Sequence, residues 1–143
     1  MVLDLYLLSF EQSFFGISTN QTTHWGFFLT NQGTFGTQGV LHHASKDSYT
    51  SGQTEYEFRV YTPTRSHGLI KAAKVATMPT NFTDTDMQTI CKIVSTQRSF
   101  NLATNNCQKW CTEILEKMIA QSLITVTPAD LQAQGFVPLW SAR

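Results

Sequence analysis

The sequence predicts an α+β domain, on two observations. Strand-like segments fill the first half of the 143-residue chain, and helix-like periodicity fills the second. Segregated elements of this kind build an antiparallel sheet packed against helices. The length fits one compact domain, 1–143. Hydrophobic residues make up 41% and charged residues 14%, which suits a chain with a real core and argues against disorder.

In the first half, residues 2–10 form an apolar run. "HWGFFLT" (24–30) is rich in aromatics, and "GVLHHAS" (39–45) is shorter. Between them, "NQGTFGTQG" (31–39) reads as a Gly-rich turn. "EYEFRVYTP" (55–63) alternates, with Tyr56, Phe58 and Val60 on one face. "GLIKAAKVATMP" (68–79) is a further strand, weakened by its alanines and lysines.

The second half begins with Thr83, followed three residues later by Asp86, an approximate capping box. Met87, Ile90, Cys91 and Val94 then recur at helical spacing. Asn105 or Asn106 can cap a second helix of about fifteen residues, with Cys107, Trp110, Cys111, Ile114 and Met118 as its apolar stripe. Thr127-Pro128 opens a short last helix that Gly135 ends.

Ten basic and ten acidic side chains balance, so no global field attracts nucleic acid or an anionic membrane. The amino-terminal run carries Asp4 and no Lys or Arg, so it reads as a strand and not as a secretory leader. No apolar run approaches the ~18–20 residues that span a bilayer. Three cysteines, an odd number, favour free thiols in a reducing compartment. Together these predict a soluble cytoplasmic protein without stable membrane anchoring. Nothing in the sequence sets its oligomeric state.

Cys107 sits just after the Asn cap, where backbone N–H groups lack intrahelical partners and the helix dipole is positive. That environment lowers a thiol pKa from about 8.5 and favours the thiolate. The stripe position also fits a small core residue, and helix position alone leaves both readings open. Cys111, a turn deeper, and Cys91, in the middle of the other helix, read as small core hydrophobes.

A nucleophilic thiol needs a base and a group to orient it. The histidines are His24, His42, His43 and His67, the last in a turn-like "RSHG". Along one strand Val40, His42 and Ala44 share a face, and Leu41, His43 and Ser45 share the other. If the strands holding His24 and the His42-His43 pair are neighbours, His24 and one of that pair project from the same side.

"THWGFFL", "VLHHAS" and "NNCQKW", in that order, resemble the lecithin:retinol acyltransferase family and its phospholipase/acyltransferase relatives. Those proteins carry a His-Trp strand opening, a V-[VI]-H-[LF] strand and an N-C-E-H-F helix start. They belong to the circularly permuted branch of NlpC-type, papain-like cysteine enzymes; PPPDE-type peptidases share the His-before-Cys order. The resemblance spans residues 22–111 and implies a single permuted papain-like catalytic domain. By that match Cys107 is the nucleophile, His24 the base and His42 the residue that orients it, while His43 falls where the family has an apolar residue. This chain departs from the family after the cysteine, where Gln108-Lys109-Trp110 replaces E-H-F, and at Thr22, where a tyrosine is common. Its end, "GFVPLWSAR", also lacks the apolar anchor of membrane-bound members.

The resemblance implies covalent acyl transfer on an amide, ester or thioester of a small molecule or peptide, by hydrolysis or by transfer to an acceptor, with no cofactor. Asn106, Gln108 and Trp25 are the candidate oxyanion or substrate contacts. Two rival expectations are a catalytically inactive papain-like binding domain and a metal site built from His24, His42 and Cys107.

Overall fold

The computed structural model describes residues 2–10, 13–14, 17–18, 24–46, 54–65, 68–96 and 107–138. Strands β1 (Leu3–Phe10), β4 (His24–Asn31), β5 (Gly39–Lys46), β6 (Thr54–Tyr61) and β7 (Leu69–Thr77) form one antiparallel sheet in the order β6-β5-β4-β1-β7. Two short strands, β2 (Ser13–Phe14) and β3 (Ile17–Ser18), pair with each other. Among the described residues three helices follow: α1 (Asp84–Ser95), α2 (Cys107–Ala120) and α3 (Pro128–Ala133).

β1 and β4 hold the interior of the sheet because both of their faces are apolar. Leu5, Leu7, Trp25, Phe27 and Leu29 enter the core beneath the helices, while Leu8, Phe28 and Leu41 form a second cluster on the reverse face. The turn between β4 and β5 folds over that reverse face. Its Phe35 ring lies 4.5 Å from Tyr6 and 6.0 Å from Phe28, centroid to centroid. Buried Asp4 fixes the turn, accepting from Gly33 N–H at 3.0 Å and from the Thr77 hydroxyl at 2.7 Å. Burial opposes ionisation of Asp4, but those two bonds and Lys74 prevail and hold its carboxyl below the usual value.

The helices form where the spacing predicts them. Thr83 and Asp86 close a reciprocal capping box at the start of α1. Met87, Ile90 and Cys91 are buried. The stripe of α2 is buried throughout, from Cys107 through Trp110, Cys111 and Ile114 to Met118. Thr127 and Asp130 cap α3, Pro128 occupies its first turn, and Gly135 follows it at φ 87°. The Asn105–Asn106 cap and His67 lie outside the described residues.

One expectation about β6 holds in register but not in burial. Tyr56, Phe58 and Val60 pair with Ala44, His42 and Val40, so all three share the helix-covered face. Only Tyr56 packs against the core; Phe58 is 46% and Val60 62% exposed. Among the described residues β6 ends the sheet.

Candidate active site

Directly paired residues in an antiparallel sheet share a face. One row runs Leu7, Phe27, His42, Phe58, and the next runs Leu8, Gly26, His43, Glu57. The first row faces the helices and the second faces away. His24 lies two residues before Gly26 and therefore shares the second face. The tandem histidines of β5 thus serve opposite sides, and His24 meets His43, not His42.

On the reverse face His24 Nε2 and His43 Nδ1 are hydrogen-bonded at 3.0 Å, with the rings edge-on at 88°. His43 Nε2 lies 2.8 Å from Glu57 Oε1. The angle of that contact misses hydrogen-bond geometry, leaving Nε2 without a hydrogen bond, so we read it as a charge contact. The carboxylate favours the proton on Nε2. His43 Nδ1 then accepts from His24 Nε2–H, which leaves the lone pair of His24 on Nδ1. Burial, then the charges of His43 and Arg59, push the His24 pKa down from 6.5 to about 3. The ring is neutral at pH 7 and in its proton-accepting form. His43 is also pushed down, by burial first, with Glu57 pulling the other way.

Beneath the helices, His42 is fully buried and both of its ring nitrogens are engaged. Nε2 donates to Asp84 Oδ1 at 2.7 Å, and Nδ1 is hydrogen-bonded to the Tyr56 hydroxyl at 2.7 Å. Gln88 donates to the other Asp84 oxygen at 2.9 Å. Burial works against the Asp84 charge, yet the bonds from His42 and Gln88 hold its pKa down. Burial pushes Tyr56 up, as do Cys91 and Asp84. Burial also pushes the Cys91 thiol up, against a hydrogen bond with Tyr56. Cys91, Tyr56, His42 and Asp84 are therefore one closed polar chain joining β5 and β6 to α1.

Cys107 opens α2 and is 4% exposed. One turn on, Trp110 stacks on Tyr56 at 6.0 Å, and its Nε1 donates to Ser95 Oγ at 2.8 Å, tying the start of α2 to the end of α1. α2 packs on β4 and β5 from the side that carries His42, the side opposite His24 and His43.

Three other expectations are corrected or left open. Trp25 is a core residue, 5% exposed and edge-on to Phe136 at 5.2 Å, so it offers no substrate contact. A metal held jointly by His24 and His42 is excluded by their opposite faces. Among the described residues, no group of three or more His, Cys, Asp or Glu is placed to hold a metal ion. Gln108 is half-buried beside Cys107, and Asn106 lies outside the described residues. Two clefts, of about 310 and 420 Å³, lie away from both histidine clusters: one is lined by Phe82, Ile90 and Ile93, the other by Lys74, Val126 and Gln134.

The sequence reading missed Asp84, Tyr56 and Glu57. The alternation in "EYEFRV" carried a signal for Glu57, since it puts Glu55, Glu57 and Arg59 opposite the apolar face. Asp84 had no such signal, because its partner is 42 residues away.

No helix among the described residues is long and apolar enough to cross a membrane. No curated protein and no solved structure matches the chain. A family model matches residues 5–125, and on that match the chain belongs to DUF6540, a family of unknown function.

Proposed function

We propose that this chain is a cysteine-nucleophile acyl-transfer enzyme of permuted papain-like, NlpC-type architecture, with Cys107 as nucleophile and His24 as base. His43, not His42, is the orienting group in this reading. The observation that supports it is the His24–His43 hydrogen bond at 3.0 Å, with Glu57 in charge contact beyond it, which fixes the tautomer of His24.

In the proposed reaction Cys107 Sγ attacks the carbonyl carbon of an amide, ester or thioester while its proton passes to His24 Nδ1, a transfer that requires the start of α2 to reach past the His24 end of β4, since α2 packs on the opposite face of the sheet. The tetrahedral intermediate collapses, the leaving group takes that proton, and a thioester remains on Cys107. Water or an acceptor nucleophile then attacks the thioester, again giving its proton to His24, and free Cys107 is restored as thiol. A neutral ring takes the proton at the moment of attack and holds no resting imidazolium, but a pKa as low as about 3 makes it a weak acceptor, so the approach of Cys107 and substrate must raise it. Helix-start N–H groups, with Asn106 or Gln108, would hold the oxyanion.

The burial of Cys107 and the placement of α2 opposite His24 favour a second reading, a papain-like binding domain without turnover. Intact-mass analysis after exposure to p-nitrophenyl acetate and to an acyl thioester separates the two. An acyl adduct on Cys107 that His24→Ala suppresses supports the enzyme. An unmodified Cys107, with donors in excess, supports the binding domain.

A further inference from the structure

We infer that the outer edge of β6 pairs with β6 of a second copy of this chain, antiparallel and centred on Phe58, so that two five-stranded sheets join across a twofold axis. This does not rest on the proposed enzymatic reading.

β6 ends the sheet, with β5 on one side and no strand of the described residues on the other. An edge strand is normally blunted by Pro, charged side chains (Lys above all), a bulge, short length or a covering loop. β6 has no Pro, Lys or bulge, and its charges, Glu55, Glu57 and Arg59, are of both signs. It runs eight residues, "TEYEFRVY", and pairs with β5 in unbroken register. Its middle is apolar and open, with Phe58 46% and Val60 62% exposed.

The charges choose the occupant. A twofold axis perpendicular to the sheet keeps each face on its own side, so residue i must meet a residue of the same parity. Centred on Phe58, the pairing sets Glu57 against Arg59 of the partner subunit and Arg59 against Glu57 of the partner subunit. Phe58 meets itself, and Tyr56 meets Val60 of the partner subunit, on the face that carries the exposed apolar side chains. Centring on Glu57 sets that charge against its own copy between two Glu55–Arg59 pairs, centring on Arg59 sets it against its own copy, and centring on Tyr56 sets Glu55 against Glu57. Of these registers only the one centred on Phe58 forms opposite-charge pairs with no like-charge contact. That register also places Arg59 of the partner subunit beside Glu57, the group that contacts His43, so each copy adds a cation to the other's His24–His43–Glu57 chain.

The test is sedimentation equilibrium on the full chain with four sequences. Wild type should be a dimer. Arg59→Glu sets two symmetric like-charge pairs across the axis and should weaken dimerisation by about tenfold or more. Glu57→Arg combined with Arg59→Glu should restore it, since the pairs are merely exchanged. Phe58→Cys should form an intermolecular disulfide under mild oxidant, because directly opposed residues lie at disulfide distance. A wild-type monomer at every accessible concentration overturns the inference. So does a dimer indifferent to Arg59→Glu, or a charge-swapped pair that stays monomeric while folded by circular dichroism.

Discussion

His24 and His43, 19 residues apart, share a 3.0 Å hydrogen bond across β4 and β5. His42, adjacent to His43 in sequence, spends both ring nitrogens on Tyr56 and Asp84 instead. The two neighbours should therefore fail differently. His43→Ala removes the group that aims His24 and should lower acylation of Cys107, and it also leaves the partly buried His24 Nε2 unpaired. His42→Ala leaves His24–His43 intact but strands Tyr56 and Asp84, at a cost of about 1–3 kcal/mol. Urea midpoints and the acylation rate, measured on both variants, check this. Loss of acylation in His42→Ala at unchanged stability would move the base to the helix side.

The cysteines should differ in reactivity. Cys107 opens a helix, whereas Cys91 and Cys111 are fully buried, and burial raises the Cys91 pKa. Iodoacetamide at neutral pH should label Cys107 first and Cys91 only after unfolding. Peptide mapping that finds Cys111 labelled ahead of Cys107 would remove the helix-start assignment.

Stability should fall on mild acidification. The folded pKa of His24, about 3, lies below its ordinary 6.5. Below pH 6.5 the unfolded chain takes up a proton that the folded chain refuses, so stability drops as pH falls from about 6.5 toward 3 and levels off there. His43 acts in the same direction. Asp4 and Asp84 have lowered pKa values, so their contribution is present above 3.8 and is lost only at lower pH. Between about pH 7 and pH 5 the histidines dominate, and His24→Gln should reduce the shift in urea midpoint over that interval.

Gly39 opens β5 where no side chain fits. A Cβ there would lie 2.6 Å from the Leu29 carbonyl oxygen and 2.7 Å from the Phe28 ring. Gly39→Ala should cost about 1–3 kcal/mol. Gly68→Ala, with nothing within 4 Å, should be nearly silent. Equal thermal midpoints for the two variants would show that the β4–β5 hairpin yields freely.

The strands and helices were legible because each rests on local signals. Alternation marked β6, the Thr83–Asp86 pair marked α1, Thr127-Pro128 and Gly135 marked α3, and the Cys107–Met118 stripe marked α2. Site residues were legible only as far as strand parity reaches. Parity required that His24 face one of His42 and His43, but the choice depends on the β4–β5 register, which pairs Gly26 with His43. The turn sets that register, and its glycines at φ 74° and 102° do not reveal the geometry in advance. The exposure of Phe58 and Val60 was not legible either, because it depends on the position of β6 as the last strand of the sheet among the described residues.

The tandem histidines make the turn between β4 and β5 a counting device. Sliding β5 by a single residue would carry His42 to the reverse face and His43 beneath α1, exchanging their partners. Insertions and deletions at residues 32–38 should therefore be inherited in pairs, and a lone one should be accompanied by a bulge that restores the phase. Among relatives of this chain, odd and even loop lengths would then separate lineages that keep the His24–His43 contact from lineages that have lost it.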